Sequence, residues 1–170
     1  THNFAPEGPI VGEAPRGLGI LVQPSSHVEI FDNDIGDNDT INIAIVTYGF
    51  ETDDENYYPH PRSIQIHGNR FGKSGYNPDL ETGELAKILY ELSDGNMPHI
   101  FWDGIVPIPQ ILFGQPKEEK IVFGDNGDAS FLTINALKYI LPFFDPVNQN
   151  YDDYVGEIKP LPPVILSERL

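Results

Sequence analysis

Four aspartates within eight residues form the densest group of side chains in this sequence that could bind an ion. Asp32, Asp34, Asp37 and Asp39 belong to the string DNDIGDND. Carboxylates and backbone carbonyls are the ligands that Ca²⁺ takes in proteins, so the string is a candidate calcium site. It lacks the terminal bidentate Glu of an EF-hand loop, and a solvated acidic edge is the alternative interpretation.

Three basic side chains are the candidates for catalytic proton transfer. His67 and Arg70 lie in the segment IQIHGNRFG, and Arg62 precedes it. In a lyase acting on uronates, a basic residue removes a proton while Ca²⁺ holds the substrate carboxylate. A simpler role for Arg70 is an ion pair with Asp34 of the preceding repeat. The sequence contains neither a Gly-x-Ser-x-Gly elbow nor a Gly-rich phosphate loop with its Lys, so these residues leave open whether the protein is an enzyme.

A short segment recurs and predicts how these side chains are positioned. Residues 28–36 read VEIFDNDIG, residues 64–72 read IQIHGNRFG, and a third copy at 121–127 reads IVFGDNG. Each copy alternates apolar and polar residues, as in a strand with one buried face, and then reaches an asparagine. If the copies stack about 4.8 Å apart, the side chains of Asn33, Asn69 and Asn126 form a hydrogen-bonded ladder. The alternative is three separate turn residues in an antiparallel sheet.

A second set of strands is expected upstream of each copy. The triplets Gly19-Ile20-Leu21, Ala44-Ile45-Val46 and Gly104-Ile105-Val106 each place a small residue before apolar ones. Aligning the triplets predicts that Ile20 stacks on Ile45. A unit of strand, corner, strand and asparagine corner has a length typical of solenoids.

Two insertions and a tail complete the predicted organisation. Residues 49–62 form an acidic and aromatic loop, and residues 76–100 contain a helix. The apolar side chains of that helix are expected to seat it on the solenoid wall, with Thr82 or Asp79 as its N-cap and Gly95 after its end; they are Leu85, Ile88, Leu89 and Leu92. Residues 136–170 are rich in proline and are expected to cap the last coil.

Charge and composition exclude several classes of partner. The 170 residues carry 26 acidic and 10 basic side chains, a net charge of −16. Nucleic acids and anionic membranes need Lys and Arg, so neither is an expected partner. No apolar run approaches the ~18 residues that a membrane span needs. The absence of cysteine removes disulfides and thiol chemistry, and the first residues do not resemble a signal peptide.

The ordered segments resemble one family of proteins. THNFAPEGPIVGEAPRGLGILV, VEIFDNDIGDNDTINIAIVTY, IQIHGNRFG, FWDGI and IVFGDNGDASF, in this order, are similar to bacterial exported parallel β-helix repeat proteins, often encoded beside a cytochrome-c-like exported protein. The resemblance implies a right-handed β-helix, location in the periplasm, at the cell surface or outside the cell, and further coils before Thr1. No activity is established for that family, so it supplies no catalytic residues.

Together these observations predict an all-β fold, a right-handed parallel β-helix of about three coils over residues 1–135, with one short helical insertion and an irregular C-terminal cap. The expected function is that of an exported cell-envelope module that binds a partner protein or a polysaccharide through its insertions. The alternative is a polysaccharide lyase or epimerase acting on an acidic glycan, with Ca²⁺ as its cofactor. An acidic chain is poorly suited to a polyanion unless it has a basic groove or bound Ca²⁺.

Overall fold

The computed structural model describes residues 16–49, 53–135, 143 and 145–163. The predictions for residues 1–15 and 50–52, and for most of 136–144 and 164–170, lie outside these ranges. The strands in the described ranges are β1 Leu18–Val22, β2 Ser26–Phe31, β3 Asp34–Ile35, β4 Ile41–Ile45, β5 Arg62–His67, β6 Arg70–Phe71, β7 Ile100–Trp102, β8 Ile121–Phe123, β9 Phe131–Ile134 and β10 Val147–Asn148. The helices are α1 Glu84–Leu92 and α2 Ile108–Phe113, with 3₁₀ turns at Lys117–Glu119 and Tyr151–Tyr154.

The strands form three sheets in which successive passes of the chain pair mainly in parallel. The largest sheet has the order β1-β4-β7-β9-β10, the second β2-β5-β8, and the third β3-β6. Among the described strands, only the pairing of β10 with β9 is antiparallel. No helix in the described ranges is long and apolar enough to span a bilayer.

The asparagine-bearing segments pair in the register that their alternation predicts. Val28 lies beside Ile64 and Ile30 beside Ile66, and these two isoleucines pair with Ile121 and Phe123. The isoleucines and Phe123 point into one core, because a strand buries every second side chain. The predicted phase of these segments is therefore confirmed.

The predicted fold class, an all-β right-handed parallel β-helix, is wrong. The described residues are 16% helix and 30% strand, they form several sheets of which one is mixed, and no closed solenoid is seen among them. Helix α1 belongs to the predicted organisation, and it covers the face of the largest sheet that lies away from the main core. The difference comes from α2, the 3₁₀ turns and the antiparallel strand β10, which adds to the edge of that sheet. Apolar alternation does not report these elements, because they lie between or after the repeated segments.

The register predicted from the small-apolar triplets is also wrong. Ile20 pairs with Ile43, and Val22 pairs with Ile45, so the first pairing is shifted by two residues. The third strand is Ile100–Trp102, which precedes the predicted Gly104 triplet. A shift by two keeps the same side chains pointing inward, so the apolar pattern alone does not distinguish these registers.

Helix α1 packs against the largest sheet, as its apolar stripe predicts. Leu89 is fully buried beside Ala44 and Phe101, and Leu85 and Leu92 pack around them. Ile88 is 47% exposed and does not belong to the contact. Strand β4 is consequently buried on both faces, which is usual for a parallel strand covered by a helix.

The N-cap of α1 is Gly83 rather than Thr82 or Asp79. Asp79 instead organises the preceding turn, where its carboxylate accepts hydrogen bonds from the backbone N–H groups of Glu81 and Thr82. The bond from the Thr82 hydroxyl is the main cause that lowers the pKa of Asp79 to about 2. Gly95 follows the helix with φ +81°, a conformation that favours glycine.

The described part of the C-terminal tail closes one end of the core and covers one sheet. Tyr151 and Tyr154 pack their rings against Phe123, and Tyr154 also lies edge-on to Trp102. Further along, the backbone of Lys159 exchanges two hydrogen bonds with the Gln65 side chain on β5. The tail is therefore held by buried aromatic rings at Tyr151 and Tyr154, and by polar contacts further along the chain at Lys159.

Candidate functional site

The three recurring asparagines lie one above another where the chain turns after β2, β5 and β8. Nδ2 of Asn33 donates to Oδ1 of Asn69 at 3.1 Å, and Nδ2 of Asn69 donates to Oδ1 of Asn126 at 3.1 Å. Backbone N–H groups of Asn33 and Asn69 donate to the same two oxygens. Asn69 and Asn126 are buried. These bonds fix the shape of the turns, and the side chains that follow each asparagine are held in place.

Arg70 follows the second asparagine and is held by Asp34. Because β3 and β6 pair with Asp34 beside Arg70, the guanidinium donates two hydrogen bonds to the carboxylate, each 2.5 Å long. This contact lowers the pKa of Asp34 and raises that of Arg70. The predicted ion pair is confirmed. It is exposed on both sides, so it orients Arg70 more than it stabilises the fold.

His99 stands at the end of the 76–100 insertion, immediately before β7. Its Nδ1 accepts a hydrogen bond from the backbone N–H of Ser130 at 2.9 Å, and its ring lies 5.5 Å from that of Phe71. Partial burial lowers the pKa of His99, which favours the neutral ring. Since Nδ1 accepts a bond, the proton of the neutral ring is on Nε2. His99 is thus a fixed hydrogen-bond donor.

Two exposed carboxylates belong to the turn after β8. Asp125 and Asp128 flank the segment that contains Asn126 and Gly127. Oδ1 of Asp125 accepts a hydrogen bond from the N–H of Gly127, and the carbonyl of Asp125 accepts one from the N–H of Gly68. The turn is therefore tied to itself and to the turn before it.

These groups line an open cleft of 470 Å³ at the asparagine turns. Its walls contain the two carboxylates, the paired arginine, the imidazole and an aromatic ring: Asp125, Asp128, Arg70, His99 and Phe71. The charge of Arg70 is balanced by Asp34, so the cleft carries an excess of negative charge. Carboxylates accept hydrogen bonds and the arginine and imidazole donate them, while the rings offer apolar faces.

The two basic side chains of the cleft are better arranged for binding than for proton transfer. The unprotonated nitrogen of His99 is occupied by the Ser130 amide, so the ring has no free basic nitrogen. The Arg70 guanidinium is held by Asp34 and stays charged. A general base needs a free acceptor within hydrogen-bond reach of the proton it removes. Neither nitrogen group meets that condition.

The two other basic candidates lie outside the walls of this cleft. Nε2 of His67 contacts Oε1 of Glu29 at 2.9 Å, and its ring stacks on Phe31. The guanidinium of Arg62 lies 4.1 Å from the centre of the Tyr58 ring. Of the three predicted basic residues, the structure brings only Arg70 into the cleft.

The four aspartates of the predicted calcium site have separate surroundings. Asp34 binds Arg70, and a carboxylate oxygen of Asp32 lies where a side chain on Gly68 would project. Asp39 is buried and its hydrogen bond to Tyr76 raises the pKa of that phenol. Asp37 has a left-handed backbone, with φ +57°. Among the described residues there is no group of three or more acidic or histidine side chains that could hold a metal ion.

A buried carboxylate was missed because Asp before Gly is ordinary in turns. Asp103 is only 8% exposed, and its oxygens accept hydrogen bonds from the backbone N–H groups of Thr47 and Ile105 at 2.5 and 3.1 Å. Burial raises the pKa of Asp103, although these bonds oppose the shift. His99 was missed as well, since an isolated histidine before an apolar strand has no distinguishing pattern.

Comparison with models of protein families, with curated proteins and with solved structures finds no match for this chain.

Proposed function

We propose that the protein is a binding module for a neutral or positively charged glycan, and that the glycan lies in the cleft of Arg70, Phe71, His99, Asp125 and Asp128. The observation that carries this proposal is the combination of exposed carboxylates, fixed donors and ring faces on well-tethered turns. Sugar hydroxyls both donate and accept, so they need this mixture of partners. The cleft volume of 470 Å³ lies within the ~300–1,000 Å³ of ordinary ligand sites.

The charge of the cleft selects between glycan classes. An acidic glycan would place its carboxylates against Asp125 and Asp128, with Arg70 already paired to Asp34. Like charges at short range cost free energy, whereas a hydroxyl or ammonium group would be attracted. This disfavours the alternative of a lyase or epimerase acting on an acidic glycan.

Binding to defined oligosaccharides tests the proposal. We expect isothermal titration calorimetry to detect binding of cationic chitosan oligosaccharides or of neutral cello- and xylo-oligosaccharides. Binding of oligogalacturonate should be weak or absent. Replacing both carboxylates, by Asp125→Asn and Asp128→Asn, is expected to weaken binding at least tenfold. The matched control changes two exposed acids of the 49–62 loop, Asp53→Asn and Glu55→Gln, and removes the same charge outside the cleft.

Two results would contradict the proposal. One is binding that falls equally in the cleft variant and in the loop control, because the effect would then be one of net charge. The other is preferred binding of oligogalacturonate with release of ultraviolet-absorbing unsaturated products, which would establish the lyase. Failure to bind any of these glycans would also overturn the glycan proposal.

We also propose that the module acts outside the cytoplasm, in the periplasm, at the cell surface or outside the cell. Support comes from the resemblance of the ordered segments to exported proteins. Mass spectrometry of fractionated source cells is expected to find the protein in the periplasmic, surface or secreted fraction. Recovery from the cytoplasmic fraction alone would contradict this location.

A further inference from the structure

Trp102 is the only tryptophan of the chain, and it has an unsatisfied polar atom. It ends strand β7, points into the main core and is 5% exposed. Its Nε1–H is buried and has no hydrogen-bond partner among the described residues. A buried donor without an acceptor destabilises the fold, and an indole N–H normally has a partner when it is buried.

A cavity of 200 Å³ at the ends of β7 and β9 has Trp102 among its lining residues. Val106 and Ile111, from the segment that contains α2, supply apolar wall, and the Tyr154 ring belongs to the same lining. Thr133 and Asn148 contribute polar side chains. The cavity is separate from the glycan cleft, because the two linings share no residue.

The walls indicate the size and charge of a ligand. A volume of 200 Å³ is below the ~300–1,000 Å³ of sites for drug-sized molecules, so the ligand is small. An anion is disfavoured because the Asn148 amide donates to the carboxylate of Asp153, which lies close by. Burial raises the pKa of Tyr154 to about 12, so the phenol on the wall stays neutral. An uncharged ligand fits these surroundings.

We propose that this cavity binds a small, uncharged compound carrying a carbonyl or hydroxyl oxygen, which accepts the hydrogen bond of the Trp102 indole. Because Nε1 is covered in the free protein, binding requires a small displacement of the neighbouring side chains. The hydrocarbon part of the ligand contacts Val106 and Ile111, and its other surroundings include the polar side chains of Thr133 and Asn148. The site does not depend on glycan binding.

Nuclear magnetic resonance of the ¹⁵N-labelled chain tests this site directly, because Trp102 gives its one indole N–H signal. Cyclohexanone is the probe, and methylenecyclohexane is its counterpart of the same shape without an acceptor. We expect cyclohexanone to move the indole signal downfield in a saturable way, and methylenecyclohexane to bind about tenfold more weakly, which corresponds to one hydrogen bond.

Three variants separate binding from general effects on folding. Trp102→Phe keeps an aromatic wall without the donor, and is expected to weaken cyclohexanone binding about tenfold when the Thr133 amide signal is followed instead. Ile111→Trp is expected to fill the cavity and abolish binding. Ile88→Ala, on the exposed side of α1, is the control and should bind as the natural chain does.

The proposal is overturned if cyclohexanone leaves the indole signal unmoved, or if the ketone and the alkene bind equally well. Unchanged binding in Ile111→Trp, with the far-ultraviolet circular dichroism of the natural chain, would place the probe elsewhere and would also overturn it.

Discussion

Replacing the middle asparagine of the ladder should cost far more stability than replacing the first. In Asn69→Ala, the Asn33 N–H loses its acceptor and the buried Ile30 carbonyl loses a donor. The Ile30 carbonyl is buried and the bond of the Asn33 N–H is partly buried; at about 1–3 kcal/mol for a buried group left without a partner, the expected loss is roughly 3 kcal/mol. In Asn33→Ala, water can replace the lost donor to the exposed Phe31 carbonyl, and Oδ1 of Asn69 still accepts from the backbone N–H of residue 33. We therefore expect a loss of stability below ~1 kcal/mol.

Urea unfolding followed by circular dichroism and by Trp102 fluorescence measures both losses. Coincidence of the two transitions would justify a two-state free energy, and a loss of 3 kcal/mol is a large part of the ~5–15 kcal/mol that holds a domain together. Asn69→Asp serves as a variant of the same shape. It places a carboxylate where a donor is needed and should be less stable than Asn69→Ala at neutral pH. Equal losses at positions 33 and 69 would refute the reasoning, because burial would then have no effect.

Three further predictions concern burial and backbone geometry. Burial raises the pKa of Asp103, so the stability that this carboxyl contributes is fully present below its ordinary pKa of about 3.8 and is lost as the pH rises through the higher pKa of the folded protein. The free energy of unfolding of Asp103→Asn, measured in urea between pH 3 and 7, should lack that decline. Identical pH profiles of the variant and the natural chain would contradict this prediction. Leu89→Ala should lose about 3 kcal/mol in urea unfolding, and Ile88→Ala close to none, since only the first fills the core; equal losses would show that α1 does not pack as described. Gly104→Ala should lower the thermal midpoint, because φ is +68° and the new Cβ would meet the Ile134 carbonyl; an unchanged midpoint would contradict this contact.

Short-range patterns made part of this structure predictable. The predicted stripe indicates α1 because side chains three and four apart share one face of a helix, although Ile88 proves to be exposed; its members are Leu85, Ile88, Leu89 and Leu92. The N-cap of α1 was not predictable, because Asp79, Thr82 and Gly83 all precede the helix and only the backbone conformation in the structure shows that Gly83 is the cap. The fold class was predicted wrongly because the repeat pattern does not report α2, the 3₁₀ turns or β10, which lie between or after the repeated segments.

The candidate site was predictable only at the ion pair. Asp34 and Arg70 occupy equivalent positions of two similar segments, so their contact follows from the repeat. His99 has no such equivalence, and it reaches the cleft because the insertion returns the chain beside Ser130. The Trp102 indole N–H lacks an acceptor because of the atoms that surround it in the folded chain, and the residues next to Trp102 in the sequence do not specify those atoms.

The amino-acid sequence by itself determined the inward and outward alternation around Ile30, Ile64 and Phe123 and the recurrence of asparagine at the following turn. These are properties of neighbouring residues, because a strand repeats every two positions. Tertiary structure alone decided the register of the β1 pairing, the positions of the cleft and of the cavity beside Trp102, and the burial of Asp103. Each of these depends on contacts between segments far apart in the chain, where several arrangements bury the same apolar side chains and only the packing of the whole molecule selects one.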